Sequence, residues 1–290
     1  MKLLYKSISF LIVLTLLFFV ESCNNETAED NDTVDTPMAK CENGFADIYP
    51  CNGYDLMAHV TLSTMGAQEG NDSWGWTDPT TGREYALFGT DANTSFVDIT
   101  IPNSPIYLGS LPTATVSSSW RDVKVYNNYA FIVSEAPNHG MQVFDLTRLR
   151  NVANPPQTFT ADNHFTGFGS SHNIVINEAS GYAYIVGTNI NTSPSFGGLL
   201  FINIQNPIAP VMEGFIMEGG YSHDAQVVTY NGPDSDYTGK EILIGSNESE
   251  VVIADVTDKT NPTIIATISY SNVRYAHQGW FTEDMRYFIL

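Results

Sequence analysis

The chain has 290 residues, with 32 acidic and 12 basic side chains, a formal net charge of −20 and 43% hydrophobic residues. Such a chain can bury a substantial core, so its composition excludes a disordered or fibrous protein. The acidic excess repels phosphate backbones, and no block of Lys or Arg lies beyond the N-terminus. Nucleic acid is therefore excluded as a partner.

The first residues indicate export from the cytoplasm. Lys2 and Lys6 precede an apolar stretch, residues 8–20, which ends shortly before Cys23. This pattern predicts a secretory signal peptide over residues 1–22. The apolar stretch of about 13 residues is shorter than the roughly 20 that a bilayer-spanning helix needs.

Residues 20–23, Val-Glu-Ser-Cys, resemble the lipobox of bacterial lipoproteins, whose cysteine receives a lipid. Glu21 departs from the small residue usual in that motif, so cleavage and plain secretion is the alternative. Residues 23–40 are predicted to be the lipidated Cys23 and an acidic disordered tether, since they are polar and lack apolar periodicity. Acidic residues soon after the lipidated cysteine resemble the export signal of surface-exposed lipoproteins. The expectation is an outer-membrane lipoprotein exposed at the cell surface.

The remaining cysteines, Cys41 and Cys51, form an even pair in an exported protein. We expect them to form a disulfide, because exported proteins reach an oxidising compartment. The bond closes a short loop and would fix the start of the folded domain with a modest entropic gain. A metal site on two thiolates is the alternative, but it lacks a second cysteine pair nearby.

From Tyr85 on, one sequence pattern occurs four times along the chain. Each copy has an aromatic-rich strand, a polar turn, a hydrophobic strand ending in Asp or Asn, and then Pro with a further strand. No window shows a helical period, so the pattern predicts an all-β chain. At the ends of the hydrophobic strands we expect side chains that hydrogen-bond the backbone of the turn. These residues are Asp98, Asp145, Asn203 and Asp255.

Another short strand precedes each copy, and a polar residue marks its start. These residues, spaced 49, 51, 51 and 54 positions apart, are Asp72, Arg121, His172, His223 and His277. A period near 50 residues with four strands per unit is typical of a β-propeller, whereas a double-sheet sandwich would not need so regular a period. Residues 41–290 are thus predicted to form about four complete blades and part of a fifth. The chain stops inside a hydrophobic strand, residues 286–290, so we expect it to be a fragment.

Five long segments of the repeat region, taken together, are similar to a known family of sequences. They are GNDSWGWTDP (70–79), GREYAL (82–87), SSWRDVKV (118–125), HGMQVFDL (139–146) and GSSHNIVINE (169–178). Together they resemble the choice-of-anchor B family of bacterial surface proteins, whose units are similar to LVIVD repeats. The resemblance extends from Cys41 to the C-terminus. It implies a secreted or surface β-propeller with no established biochemical activity, whose members continue past residue 290.

The innermost strand of each propeller blade lines the central channel, so the starts of these strands should meet at one mouth. The loops between second and third strands should surround that mouth. We therefore predict a polar binding site there. Its candidate ligand-binding residues are Asp72, Arg121, Asp122, Glu135, Asn173 and Asp224.

Three of the six histidines occupy a single repeat position: His172, His223 and His277. Three neutral imidazoles with Asp or Asn partners are typical ligands of zinc, copper or iron, which makes these residues a candidate transition-metal site. The alternative is that this position favours a side chain that bonds to the neighbouring blade.

Three classes of function remain. The favoured one is a noncatalytic surface module that binds an extracellular glycan or protein. The competing one is a metal-dependent enzyme, a hydrolase or oxidoreductase, with a histidine-lined site at the channel mouth. A purely structural envelope protein is the third. The sequence contains no Gly-x-Ser-x-Gly elbow, phosphate loop or dinucleotide fingerprint, and a propeller fold hosts both binding modules and enzymes.

Overall fold

The computed structural model describes residues 36–189, 191 and 193–290. Its regular structure is almost entirely strand, and the exceptions among these residues are two short 3-10 helices, Leu146–Leu149 and Ser235–Tyr237. The prediction of an all-β chain is confirmed. The predicted signal peptide, the lipidation site at Cys23 and most of the tether lie outside the described residues. Within the described part of the chain, no helix is long and apolar enough to cross a membrane.

The four copies of the repeat form four sheets, I to IV, in which consecutive strands pair antiparallel. Sheet I contains β3 (Gly70–Thr77), β4 (Glu84–Thr90), β5 (Asn93–Asp98) and β6 (Ile106–Pro112). Sheet II contains β7 (Arg121–Tyr126), β8 (Tyr129–Ser134), β9 (Met141–Asp145) and β11 (Asn163–Phe165). Short β10 (Gln157–Thr158) pairs parallel with β6 and extends sheet I to five strands.

Sheets III and IV repeat the same arrangement. Sheet III contains β12 (Asn173–Asn177), β13 (Tyr182–Val186), β14 (Leu199–Asn203) and β15 (Val211–Ile216). Sheet IV contains β16 (Asp224–Thr229), β17 (Glu241–Ser246), β18 (Val251–Asp255) and β19 (Thr263–Ile268). A two-stranded hairpin follows, formed by β20 (Trp280–Phe281) and β21 (Phe288–Ile289).

The turns explain how the register of these sheets is set. Between β7 and β8, Asn127 and Asn128 both adopt the left-handed region, with φ of 49° and 65°. Asn tolerates this region, and two such residues make the tight turn whose twist matches the flanking strands, so that Tyr126 pairs with Tyr129.

The predicted turn-capping side chains are confirmed at the ends of all four third strands. Each accepts a hydrogen bond from the backbone N–H two residues later. The donor–acceptor distances are 3.0 Å for Asp98, 2.9 Å for Asp145, 3.0 Å for Asn203 and 3.1 Å for Asp255.

The core lies between successive sheets. Alternate residues of a strand point to opposite faces, so one strand serves two interfaces. In β8, Ala130 and Ile132 pack against sheet I, whereas Phe131 and Val133 pack against sheet III. Sheets II and III are buried on both faces in this way, which explains why their middle strands are continuous hydrophobic runs rather than alternating ones.

The first strands β3, β7, β12 and β16 are neighbours in that order and join the sheets. Side chains of one first strand accept hydrogen bonds from the backbone of the next. Asp122 accepts from Ile174 N at 2.8 Å, and Gln226 accepts from Phe281 N at 2.8 Å. These contacts fix the starts of consecutive sheets relative to one another.

The N-terminal part of the unit Pro37–Leu290 is a small hairpin, β1 (Phe45–Ala46) and β2 (Tyr49–Pro50). A disulfide joins Cys41 and Cys51 on either side of it, with their Cα atoms 5.8 Å apart. The predicted disulfide is therefore confirmed. Because such bonds persist in oxidising compartments, the pair indicates a location outside the cytoplasm.

Candidate functional site

The three histidines of the shared repeat position lie together. Their rings contact one another in sequence order, and we call this group the histidine stack. The ring centroids of His172 and His223 are 4.4 Å apart, with planes tilted by 48°. Those of His223 and His277 are also 4.4 Å apart, tilted by 42°. The repeat therefore predicts correctly which histidines meet.

Backbone hydrogen bonds place the first two histidines at the entrances of their sheets. His172 N donates to Val186 O at 3.1 Å, and His223 N donates to Ser246 O at 3.0 Å. Each histidine thus pairs with the end of the second strand of its own sheet and directly precedes its first strand. Equivalent backbone positions in neighbouring sheets bring the two rings side by side.

The hydrogen bonds of two rings assign their tautomers. Nδ1 of His172 lies 2.6 Å from Oε1 of Glu135, and Nδ1 of His223 lies 3.0 Å from the carbonyl oxygen of His277. An ionised carboxylate and a carbonyl only accept, so Nδ1 donates in both rings, and in the neutral ring Nε2 keeps its lone pair. Burial lowers the pKa of His223, and the neighbouring rings of His172 and His277 lower it further, which favours the neutral form.

Exposed aromatic side chains border the histidine stack. The Trp120 ring lies 5.6 Å from that of His172, and the Tyr275 ring lies 5.2 Å from that of His223 in an edge-on arrangement. Trp120 is 48% exposed and Tyr275 is 44% exposed. Partly free aromatic faces at both sides of a polar cluster are suited to contact with a ligand.

The stack does not form a three-ligand metal centre as its side chains stand. Among the residues that the structure describes, no group of three or more His, Cys, Asp or Glu is arranged to hold a metal ion. Two of the predicted ligands, His172 and His223, have Nδ1 engaged with hydrogen-bond acceptors. The predicted three-histidine site is thus assembled as a contact cluster, and its metal binding stays a prediction.

Polar side chains near the starts of the first strands line a cavity of about 600 Å³, which we call the acidic cavity. Four of the six predicted ligand-binding residues border it: Asp72, Asp122, Asn173 and Asp224. Lys124 and Gln278 add polar groups, and Trp280 adds an aromatic one. Asn173 and Asp224 directly follow His172 and His223 in the chain, so in sheets III and IV the lining of the acidic cavity begins one residue after the histidine stack.

The carboxylates of the acidic cavity outnumber its basic groups. Nζ of Lys124 contacts Oδ1 of Asp122 and lies 3.6 Å from Oδ2 of Asp72. Burial nevertheless raises the pKa of Asp122, because desolvation outweighs the attraction of Lys124. Burial also raises the pKa of Asp224. The side-chain oxygens of Asp72, Asp122 and Asp224 can accept hydrogen bonds from a ligand.

Two other predicted residues lie elsewhere. Glu135 reaches the histidine stack from the loop after β8, as expected. Arg121 has no exposed surface and does not line the acidic cavity. Its Nε donates to Thr90 O at 2.9 Å and its Nη1 donates to Nε2 of His139 at 3.1 Å. Arg121 therefore links Thr90 of sheet I to His139, which follows β8 of sheet II, and it does not face a ligand.

Sequence reasoning missed Lys124 and Tyr275. Lys124 lies two residues after Asp122 on β7, and residues two apart share one face of a strand, so alternation alone could have placed it beside Asp122. Tyr275 precedes His277 by two residues in a segment without a repeat partner, and no sequence signal points to its contact with His223.

Comparison with known proteins gives no family assignment. No family model matches the chain, and no curated protein matches it. Among solved structures, the extracellular domain of a protein described as a one-component system of B. thetaiotaomicron aligns at 14% identity with a TM-score of 0.43. The alignment covers 69% of this chain and 24% of that one, so this chain spans about a quarter of its length. A quinoprotein alcohol dehydrogenase-like protein of Bacteroides thetaiotaomicron aligns at 14% identity and a TM-score of 0.21, covering 72% and 70% of the two chains.

Proposed function

We propose that sheets I to IV are blades of a β-propeller of the choice-of-anchor B type, and that this propeller binds an extracellular glycan. The blade assignment is supported by the shared order of strands and by the first strands, which meet side by side. The ligand assignment is carried by one observation. The acidic cavity is lined by polar side chains from the first strands of four successive sheets, Asp72, Asp122, Asn173 and Asp224.

The chemistry of this site favours a glycan over other ligand classes. A volume of about 600 Å³ lies in the range of small-molecule sites, roughly 300–1,000 Å³. The carboxylates of Asp72 and Asp224 accept hydrogen bonds from hydroxyl groups, and the exposed ring of Trp280 in the cavity lining offers an apolar face. The net charge of −20 disfavours acidic saccharides, so we expect a neutral or amino-substituted glycan.

We also propose that lipid on Cys23 anchors the protein to the outer membrane and exposes it at the cell surface. The Cys41–Cys51 disulfide supports a compartment outside the cytoplasm. Mass spectrometry of the mature N-terminus should find a diacyl or triacyl modification on Cys23, and protease added to intact cells should degrade the protein. An unmodified N-terminus with protein in the medium would instead support secretion.

A glycan array read with the purified chain tests the ligand assignment. We expect binding to neutral or amino-sugar oligosaccharides, which Asp224→Asn and Trp280→Ala weaken at least tenfold without changing the thermal unfolding curve. Glu178→Gln removes an exposed carboxylate from the β12–β13 turn, at the far end of its strand, and serves as the matched control. Absence of glycan binding, or an equal loss in the control, would refute the proposal. In that case a protein ligand becomes the next candidate.

The metal-dependent enzyme, whether hydrolase or oxidoreductase, stays a prediction. No contact described above supplies a reaction step, so the binding module is the function that the geometry supports best. Turnover that requires one transition-metal ion per chain, and that disappears with His223→Ala, would reverse this order.

A further inference from the structure

The pair His172 and His223 has the hydrogen-bond arrangement of metal-binding imidazoles. Metal-ligating histidines commonly donate their second ring N–H to a carboxylate or a backbone carbonyl, which fixes the ring and raises its basicity. Here Nδ1 of His172 donates to Glu135 and Nδ1 of His223 donates to the carbonyl of His277. Two neighbouring rings, one with each kind of partner, satisfy this pattern.

The opposite nitrogens of these rings are available. Among the described residues, no hydrogen bond occupies Nε2 of His172 or Nε2 of His223, although the rings are largely shielded from solvent. Glu135 supplies negative charge beside the His172 ring, which reduces the cost of holding a dication there.

We propose that Nε2 of His172 and Nε2 of His223 bind one divalent transition-metal ion, with Glu135 as the positioning residue for His172. Two protein ligands leave the remaining coordination positions open to water or to hydroxyl groups of a glycan. The inference thus deepens the proposed function, on which the assignment of this site rests, by making binding metal-assisted.

Imidazole is a suitable ligand for copper, zinc, iron and nickel, and copper(II) generally binds more tightly than zinc at a given site. The probes are therefore copper(II) and zinc chlorides, titrated by calorimetry into the full chain prepared without a histidine tag. We expect one copper(II) per chain, bound more tightly than zinc, with an electron paramagnetic resonance spectrum split by two imidazole nitrogens.

Variants of His223 and Glu135 distinguish a residue that binds the metal from a residue that positions a metal-binding ring. His223→Gln should remove the second nitrogen from the copper spectrum and weaken binding at least tenfold. Glu135→Gln should weaken binding 10- to 100-fold while both nitrogens remain, as expected for the loss of an outer carboxylate partner. His59→Gln alters an exposed histidine bonded to Tyr49 and is the matched control. If His223→Gln does not fold, the copper spectrum of the natural chain still decides whether two imidazoles bind the metal, and Glu135→Gln, which changes a partly exposed side chain, decides the positioning role.

Absence of saturable copper binding, a spectrum without two nitrogens, or an equal loss in His59→Gln would overturn the inference. So would a Glu135→Gln variant with unchanged affinity, as far as the positioning role is concerned. Glycan binding is measured separately in the presence of a chelator and of copper(II). Glycan binding without metal binding refutes the metal site alone, whereas metal binding without glycan binding refutes the glycan assignment alone.

Discussion

Asp122 offers a direct test of how the sheets are joined at the acidic cavity. Its Oδ2 accepts from Ile174 N in the next sheet at 2.8 Å, and its Oδ1 accepts from Val123 N at 2.8 Å. In Asp122→Ala both donors lose this partner. Val123 N keeps Oδ2 of Asp72 at 3.5 Å, so Ile174 N is the donor that becomes unpaired in the core. Leaving one buried donor unsatisfied costs about 1–3 kcal/mol.

Asp122→Asn should behave differently, because its amide oxygen can still accept from Ile174 N. We expect it to lie within about 1 kcal/mol of the natural protein at pH 7. The pKa of Asp122 is raised in the folded state, so the folded chain binds the proton more readily than the unfolded chain, and ionisation above the unfolded pKa costs stability. The Asn variant lacks this cost, so its stability relative to the natural protein should rise with pH.

Urea unfolding of the three proteins, followed by tryptophan fluorescence between pH 5 and 8, measures these differences. The midpoints give the differences in unfolding free energy, provided that the slopes are equal. If Asp122→Ala is as stable as Asp122→Asn, the bond to Ile174 N does not join the sheets. If the Asn variant loses relative stability as pH rises, the direction assigned to the pKa of Asp122 is wrong.

Three further outcomes are expected. The pKa of His139 is lowered by burial to about 4, so the unfolded chain, with its histidine near 6.5, binds the proton more readily. Relative to His139→Gln, the natural protein should therefore lose up to about 3 kcal/mol as pH falls from 6.5 to 4 in urea titrations. Replacing Cys41 and Cys51 with Ser should lower the unfolding free energy by about 3 kcal/mol, since they close a loop of 10 residues; no change in the urea midpoint would contradict this. Phe131→Ala, which empties a core position between sheets II and III, should cost about 3–5 kcal/mol, whereas Phe45→Ala at an exposed site should cost far less in the same assay.

The sheets could be predicted because the determinants of a strand are local. A hydrophobic run bounded by turn residues needs no knowledge of its neighbours, and the capping role of Asp98 follows from the turn that comes after it. The pairing of sheets was also accessible, since a run such as β8 that is hydrophobic at every position must be covered on both faces.

The side-chain positions at the site were only partly predictable. His172 and His223 meet because equivalent residues of consecutive repeats lie side by side, and the period alone carries that information. Arg121 occupies the matching position in sheet II, yet its long side chain turns inward to Thr90 O and His139. The direction of the Arg121 side chain depends on hydrogen-bond acceptors that are distant in sequence. Only the complete fold brings these acceptors to the several N–H groups of the guanidinium.

The tautomers of the histidine stack also depend on hydrogen-bond partners that are distant in sequence. A repeat position can supply an imidazole, but the tautomer is set by Glu135 from the preceding sheet for His172 and by the carbonyl of His277 for His223. Each ring thus depends on a neighbouring repeat for its orientation. In isolated units these histidines would lack their hydrogen-bond acceptors, whereas in the assembled sheets the Nδ1 atoms of His172 and His223 have acceptors and their Nε2 atoms are left free. The binding proposed at this site consequently depends on the contact between sheets, which is why Asp122, whose carboxylate accepts from Ile174 N in the next sheet, is the residue to change first.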